Sequence, residues 1–106
     1  MNEPVKEMQR IVAQISLNYA PEKIILFGSL ASGRTSDARD IDLLIIKKTD
    51  QNPWQRTREV SRLFEHTAPI DLLVYTPEEI AARIEMDDFF IQDIIEHGKV
   101  VYERGI

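Results

Sequence analysis

Asp40 and Asp42 stand two residues apart at the head of the apolar run Leu43, Leu44, Ile45 and Ile46. In a strand the side chains at i and i+2 share a face, so this spacing puts two carboxylates side by side. Like charges that close repel. They coexist cheaply only when exposed, when one is protonated, or when a divalent cation sits between them. The chain has no cysteine and no histidine near this stretch, and an all-oxygen donor set suits Mg²⁺ or Mn²⁺ rather than zinc. Asp71 holds the matching place near the start of a further apolar run, and supplies a third carboxylate if the two strands are neighbours.

Gly28 and Ser29 come straight off another short apolar run, 23–27. Glycine lets backbone amides approach a phosphate closely, and the serine hydroxyl adds a donor. If the turn leads into a helix, its dipole favours the same anion. Phosphate donors beside carboxylate-bound metals describe phosphoryl or nucleotidyl transfer, in which metals activate the attacking oxygen and steady the leaving pyrophosphate. A lone Asp-x-Asp is usually a solvated strand end, and a lone Gly-Ser a turn. Their joint occurrence, with ten residues between Ser29 and Asp40, carries the reading.

The elements that must position these groups follow from periodicity. Val5, Met8, Ile11, Val12, Ile15 and Tyr19 recur at helical steps and stop before Pro21. Residues 23–27 read as a buried strand, 29–39 as turn-rich with a helical turn allowed at Leu30 and Ala31, and 40–48 as a central strand apolar on both faces. A helix from Pro53 to about His66 presents Trp54, Thr57, Val60, Ser61 and Phe64 on one face. Residues 69–75 form a third strand. Thr76 and Pro77 open a helical region reaching His97, interrupted near Met86, Asp87 and Asp88 and closed by Gly98. Val100, Val101 and Tyr102 form a last short strand. The expectation is a single α/β (α+β) domain over 1–106, ordered α-β-β-α-β-α-α-β.

Composition narrows the partners. With 43% apolar and 29% charged residues the chain is that of an ordinary globule. Thirteen Lys and Arg against eighteen Asp and Glu give a net charge of −5, the wrong sign for neutralising a phosphate backbone, so autonomous nucleic-acid binding is disfavoured. No apolar run approaches the roughly 18 residues of a membrane span, and the start has no apolar leader segment. A cytoplasmic setting is expected. His66 and His97 fall near helix C-termini and read as structural. Arg56, Arg58 and Arg62 read as a solvated basic face, and Trp54, Phe64, Met86, Phe89, Phe90, Ile94 and Ile95 as core, with Phe89 and Phe90 as an alternative partner surface. The acidic pairs Glu78–Glu79 and Asp87–Asp88 are explained by helix dipoles.

Gly28-Ser29, ten residues, Asp40-Ile41-Asp42 resembles the signature of the DNA-polymerase-β-like nucleotidyltransferase superfamily, and the closing stretch 94–103 is similar to the usual ending of its minimal members. These minimal nucleotidyltransferases are often encoded beside a HEPN-domain toxin as its antitoxin. The resemblance implies a palm-like fold with a mixed sheet of about four strands. It implies that Gly28 and Ser29, with Gly33 as the second glycine, hold the phosphates of ATP. Asp40 and Asp42 would bind two Mg²⁺ ions (Mn²⁺ possible), and Asp71 would be the third carboxylate, helping to deprotonate the acceptor. Many relatives carry basic residues where this chain has Leu30 and Ser32, and a serine where it has Arg39; Arg34 and Arg39 could replace that charge. The implied reaction moves AMP onto a hydroxyl, a tyrosine of the HEPN partner, within a homo- or hetero-oligomer. A binding module that neutralises its partner by occlusion, and transfer onto a small molecule, are the rival readings.

Overall fold

The computed structural model describes residues 3–33 and 39–105. Helix α1 (Glu3–Tyr19) buries the stripe Met8, Ile11, Val12, Ile15 and Tyr19 and ends where Ala20 turns to φ 52° ahead of Pro21. Lys47 Nζ donates to the freed Tyr19 carbonyl at 2.6 Å, satisfying one of the acceptors a helix end leaves open. Then follow β1 (Lys23–Phe27), a single helical turn α2 (Gly28–Ser32), β2 (Ile41–Ile46), α3 (Pro53–Ser61), β3 (Ile70–Tyr75), α4 (Pro77–Glu85), α5 (Phe89–His97) and β4 (Lys99–Glu103).

The four strands form one mixed sheet in the order β3-β2-β1-β4. β1 runs antiparallel to β2 and to β4, while β2 and β3 run parallel. Period-two alternation sends Ile24, Leu26, Ile41, Leu43 and Ile45 to one face, where they pack with the α1 stripe and Val60 of α3. Ile25 and Leu44 go to the other, against Ile80, Ile91 and Ile94 of α4 and α5. A sheet covered on both sides explains why β2 reads as an unbroken apolar run. This is the expected small mixed sheet with helices packed on it, with α2 as an added element and the expected interruption between α4 and α5 in place. Among the described residues no helix is long and apolar enough to cross a membrane.

Several expectations from periodicity fail, mostly around α3. The helix ends at Ser61, short of His66, because Arg62 and Leu63 close it with three-residue turns onto Glu59 and Val60. His66 therefore sits in a loop, its Nδ1 2.6 Å from the Ala68 carbonyl. Trp54 is 67% exposed rather than core, with the Arg58 guanidinium stacked on its ring at 5.1 Å. The inner face belongs instead to Val60 and Arg56, the latter only 5% exposed. Phe64 is half-buried against the core. In α5, Ile91 and Ile94 are core, but Phe89 and Phe90 are exposed, as are Met86 and Ile95. Phe89 lies on the outer side of α5, while Phe90, though exposed, turns its ring edge-on to Phe27 at 5.9 Å.

Arg56 escaped the solvated-face reading because its partner lies 23 positions away in the chain. Its Nη1 and Nη2 donate to Glu79 at 2.7 and 3.1 Å, Nε donates to the Gln51 carbonyl at 2.7 Å, and Nη1 reaches the Val74 carbonyl at 3.2 Å. Glu79 also completes the capping box with Thr76 at the start of α4. A planar fork satisfied on all sides ties α3, β3 and α4 together. Glu79→Ala leaves that guanidinium buried without its carboxylate and should cost about 3 kcal/mol in urea unfolding. Glu79→Gln, which keeps the box, should cost less. A loss under about 1 kcal/mol for the alanine variant, the size of an exposed pair, would refute this account.

Candidate active site

The chemistry-bearing residues converge on one end of the sheet. The parallel register sets Asp42 opposite Asp71, and the antiparallel register sets Phe27 opposite Asp42. Paired residues point to the same face, so Asp71, Asp42 and the Phe27–Gly28 junction stand in a row across β3, β2 and β1. They share the face of α4 and α5, at the sheet end beyond Leu44, Leu73 and the rest of that apolar cluster. The loop leading to Asp71 is fixed from α1: the Glu7 carboxylate accepts from the Thr67 amide and hydroxyl and from the Ala68 amide, at 2.5 to 3.3 Å. The Thr67 amide bond, first among these, holds the Glu7 carboxyl below the usual carboxylate range.

The condition placed on Asp71, that its strand neighbour β2, is therefore met. The tight pair is Asp42 with Asp71. Asp40 precedes the first ladder residue, Ile41, and lies exposed, so strict strand alternation does not govern it. It still contributes repulsion at Asp42. Burial raises the Asp42 carboxyl above its ordinary value, and the charge and hydrogen bond of Asp71 and the more distant charge of Asp40 push the same way. Three carboxylates thus bear on one partly buried point.

Gly28 closes the arrangement. It comes off β1 at φ 76°, a left-handed conformation that glycine adopts without strain. A Cβ there would overlap Asp42 Oδ2 and stand 3.1 Å from its Cγ. Backbone thus passes directly against the carboxylate, which no other residue type permits. Ser29 follows, exposed at the surface, while Leu30 and Ala31 are buried and anchor the turn on the core. Gly33 sits further off as the left-handed cap of α2, its amide donating to the Ser29 carbonyl at 3.2 Å, and a Cβ there would meet nothing. Its place is in ending the turn. Arg39 is exposed beside Asp40, and Arg34 lies outside the described residues.

Oxygen donors suit a hard divalent cation, and the crowding at Asp42 is the condition such an ion relieves. Among the described residues no group of three or more His, Cys, Asp or Glu side chains is placed to hold a metal ion, Asp40, Asp42 and Asp71 included. What the register brings together is the Asp42–Asp71 pair, two carboxylates that suit an open magnesium site in which substrate and water supply the other donors.

Beside Gly28 a cleft of about 770 Å³ opens between α2 and α5. Ser29 and Ser32 line one wall, and Phe90, Asp93 and His97 the other. Sequence reasoning set His97 aside as a structural helix-end residue, and α5 does end there. The i, i+4 spacing of Asp93 and His97 was the available signal, and their side chains meet at 3.0 Å. A second hollow, about 480 Å³, lies at the opposite end of the sheet between Lys23, Ile46, Ile80 and Arg104, away from the carboxylates.

Comparisons with known proteins bear on the family and the fold. Residues 9–105 match the family described as Polymerase beta, Nucleotidyltransferase. The crystal structure of a presumed nucleotidyltransferase from Sulfolobus solfataricus superposes with a TM-score of 0.66 at 22% identity, covering 95% of this chain and 84% of the other. At that identity the likeness speaks for the fold. No curated protein matches the chain.

Proposed function

The chain belongs to the Polymerase beta nucleotidyltransferase family, and from that premise we propose that it moves AMP from ATP onto a hydroxyl of a partner protein, a tyrosine of a HEPN toxin, and so acts as its antitoxin. The single observation that carries the transferase chemistry is the placing of Asp42 between Asp71 and the Gly28 backbone. In this reading Gly28 and Ser29 take the phosphates by backbone and hydroxyl hydrogen bonds, with Gly33 setting the length of their turn. Asp42 and Asp71, with Asp40 beside them, would hold the Mg²⁺ ions. When bound, those ions offset phosphate charge and acidify the attacking hydroxyl. Asp71, at the outer strand of the row, receives or steers the acceptor's proton.

The protein-acceptor form has its own support. Phe90 on the cleft wall, with the exposed Phe89 and Met86 close by in the chain, offers apolar area for a second polypeptide where a small molecule would need a closed pocket. The test is incubation with Mg²⁺, ATP labelled at the α-phosphate and the neighbour-encoded protein. Label on a tyrosine of the partner, absent with Asp40→Asn or Asp71→Asn, is the expected result. Neutralisation of the partner that survives both substitutions without label would replace this reading with occlusion.

A further inference from the structure

We infer that His97 is a ligand of the terminal phosphates of the nucleotide, and of the pyrophosphate that leaves; this rests on the nucleotide reading above and extends it to a residue outside the motif.

The argument is one of order along the sheet end. Register runs from Asp71 through Asp42 to Phe27 and Gly28, and then across the β1–β4 pair, where Leu26 is opposite Lys99. Gly98 and His97 come next in the same direction. In the transfer the acceptor oxygen forms its bond to the α-phosphorus while the bond from that phosphorus to the bridging oxygen breaks. Pyrophosphate departs with the electron pair, and the acceptor proton passes to a carboxylate. Displacement in line places the acceptor on one side of the α-phosphorus and the leaving group on the other. With the carboxylates at one end of the row and Gly28-Ser29 next to them, the β- and γ-phosphates extend into the cleft that continues to α5.

That cleft needs a cation at its far wall, and of the described residues lining it only His97 can carry positive charge. Two features hold it there. Asp93 Oδ1 accepts from Nδ1 at 3.0 Å, which orients the ring and leaves Nε2 to donate to a phosphate oxygen when the ring is protonated. Gly98 lets the end of α5 lie against β1: a Cβ there would stand 2.5 Å from Ile25 Cγ2 and 2.6 Å from the Ile94 carbonyl oxygen. The imidazole itself is 73% exposed, so nothing in the fold depends on it. Asp93 is the countervailing charge, and it is consistent with a site that releases its product instead of retaining it.

The measurement is calorimetric binding of ATP, AMP and inorganic tripolyphosphate, each with Mg²⁺, to the full chain and to His97→Ala and His97→Lys. His97→Ala should weaken ATP and tripolyphosphate together by about tenfold, the worth of a charge-assisted hydrogen bond, and leave AMP unmoved. His97→Lys should recover most of the loss. Equal losses for AMP and ATP, or none for either, would overturn the assignment to the terminal phosphates. A wild-type chain that binds neither ATP nor tripolyphosphate would sink the transferase reading and this inference together. ATP binding that is lost in Asp42→Asn but untouched in His97→Ala would sink this inference alone.

Discussion

Asp42→Asn should cut transfer severely and, in EDTA, make the protein more stable. The two effects have one cause. Burial and the neighbouring Asp71 and Asp40 raise the Asp42 carboxyl, so the folded chain binds its proton more tightly than the unfolded chain does. For a raised group the stabilising contribution is fully present below the ordinary aspartate range, about pH 4, and is lost as pH rises through the folded value. At neutral pH without a cation the folded state therefore carries an unfavourable charge, which the isosteric amide removes while donating to Asp71. Each kcal/mol of relief corresponds to roughly 4–8 °C in the unfolding midpoint of a chain this size. Mg²⁺ should raise the midpoint of the wild type and not that of the variant, since a ligand stabilises only the state that binds it. Transfer should fall on the order of a thousandfold, the worth of the several kcal/mol a metal contributes to the transition state. Thermal scans at several pH values, with EDTA or Mg²⁺, check all of this. A variant less stable than wild type in EDTA at pH 7 would show that Asp42 is held by favourable contacts and not strained by its neighbours.

How much of this was legible beforehand depended on whether the signal was local. Gly28, Ser29 and Asp42 were readable because each sits at the end of an apolar strand, where a departure from the pattern stands out. Asp71 was readable only conditionally. Nothing in 69–75 tells which strand lies beside it, and the parallel register that sets it opposite Asp42 arises from the crossover through α3. The inner face of α3 was misread because its buried member is an arginine, and a hydrophobic pattern cannot count a guanidinium whose carboxylate arrives from α4. Trp54 then looked like core by default. The cleft was hidden for a similar reason. Its far wall exists only because β4 returns antiparallel to β1 and a missing side chain at Gly98 lets α5 come down onto the sheet. Spacing within α5 could show that Asp93 and His97 meet, but not what they face.

Gly28→Ala is the substitution that separates a phosphate turn from an ordinary one. Two costs add. The left-handed φ of 76° strains any residue bearing a Cβ, by about 1–2 kcal/mol. The added methyl also overlaps Asp42 Oδ2, so the carboxylate must swing away from Asp71 or the strand end must shift. The first cost is indifferent to Asp42; the second vanishes when Asp42 has no side chain to displace. Gly28→Ala alone should therefore lower stability by about 2–3 kcal/mol and transfer at least a hundredfold, since a displacement near 1 Å at reacting groups is worth that much. Introduced into Asp42→Ala, the same substitution should cost only the backbone part, about 1–2 kcal/mol. The difference is the coupling between the two positions, which a double-mutant cycle in urea measures directly. Coupling of this sign places the glycine against the carboxylate for steric reasons that hold with or without bound nucleotide. Equal costs in both backgrounds would mean that the backbone at Gly28 does not approach Asp42 as described, and the phosphate turn and the carboxylate pair would then be two separate features of the surface.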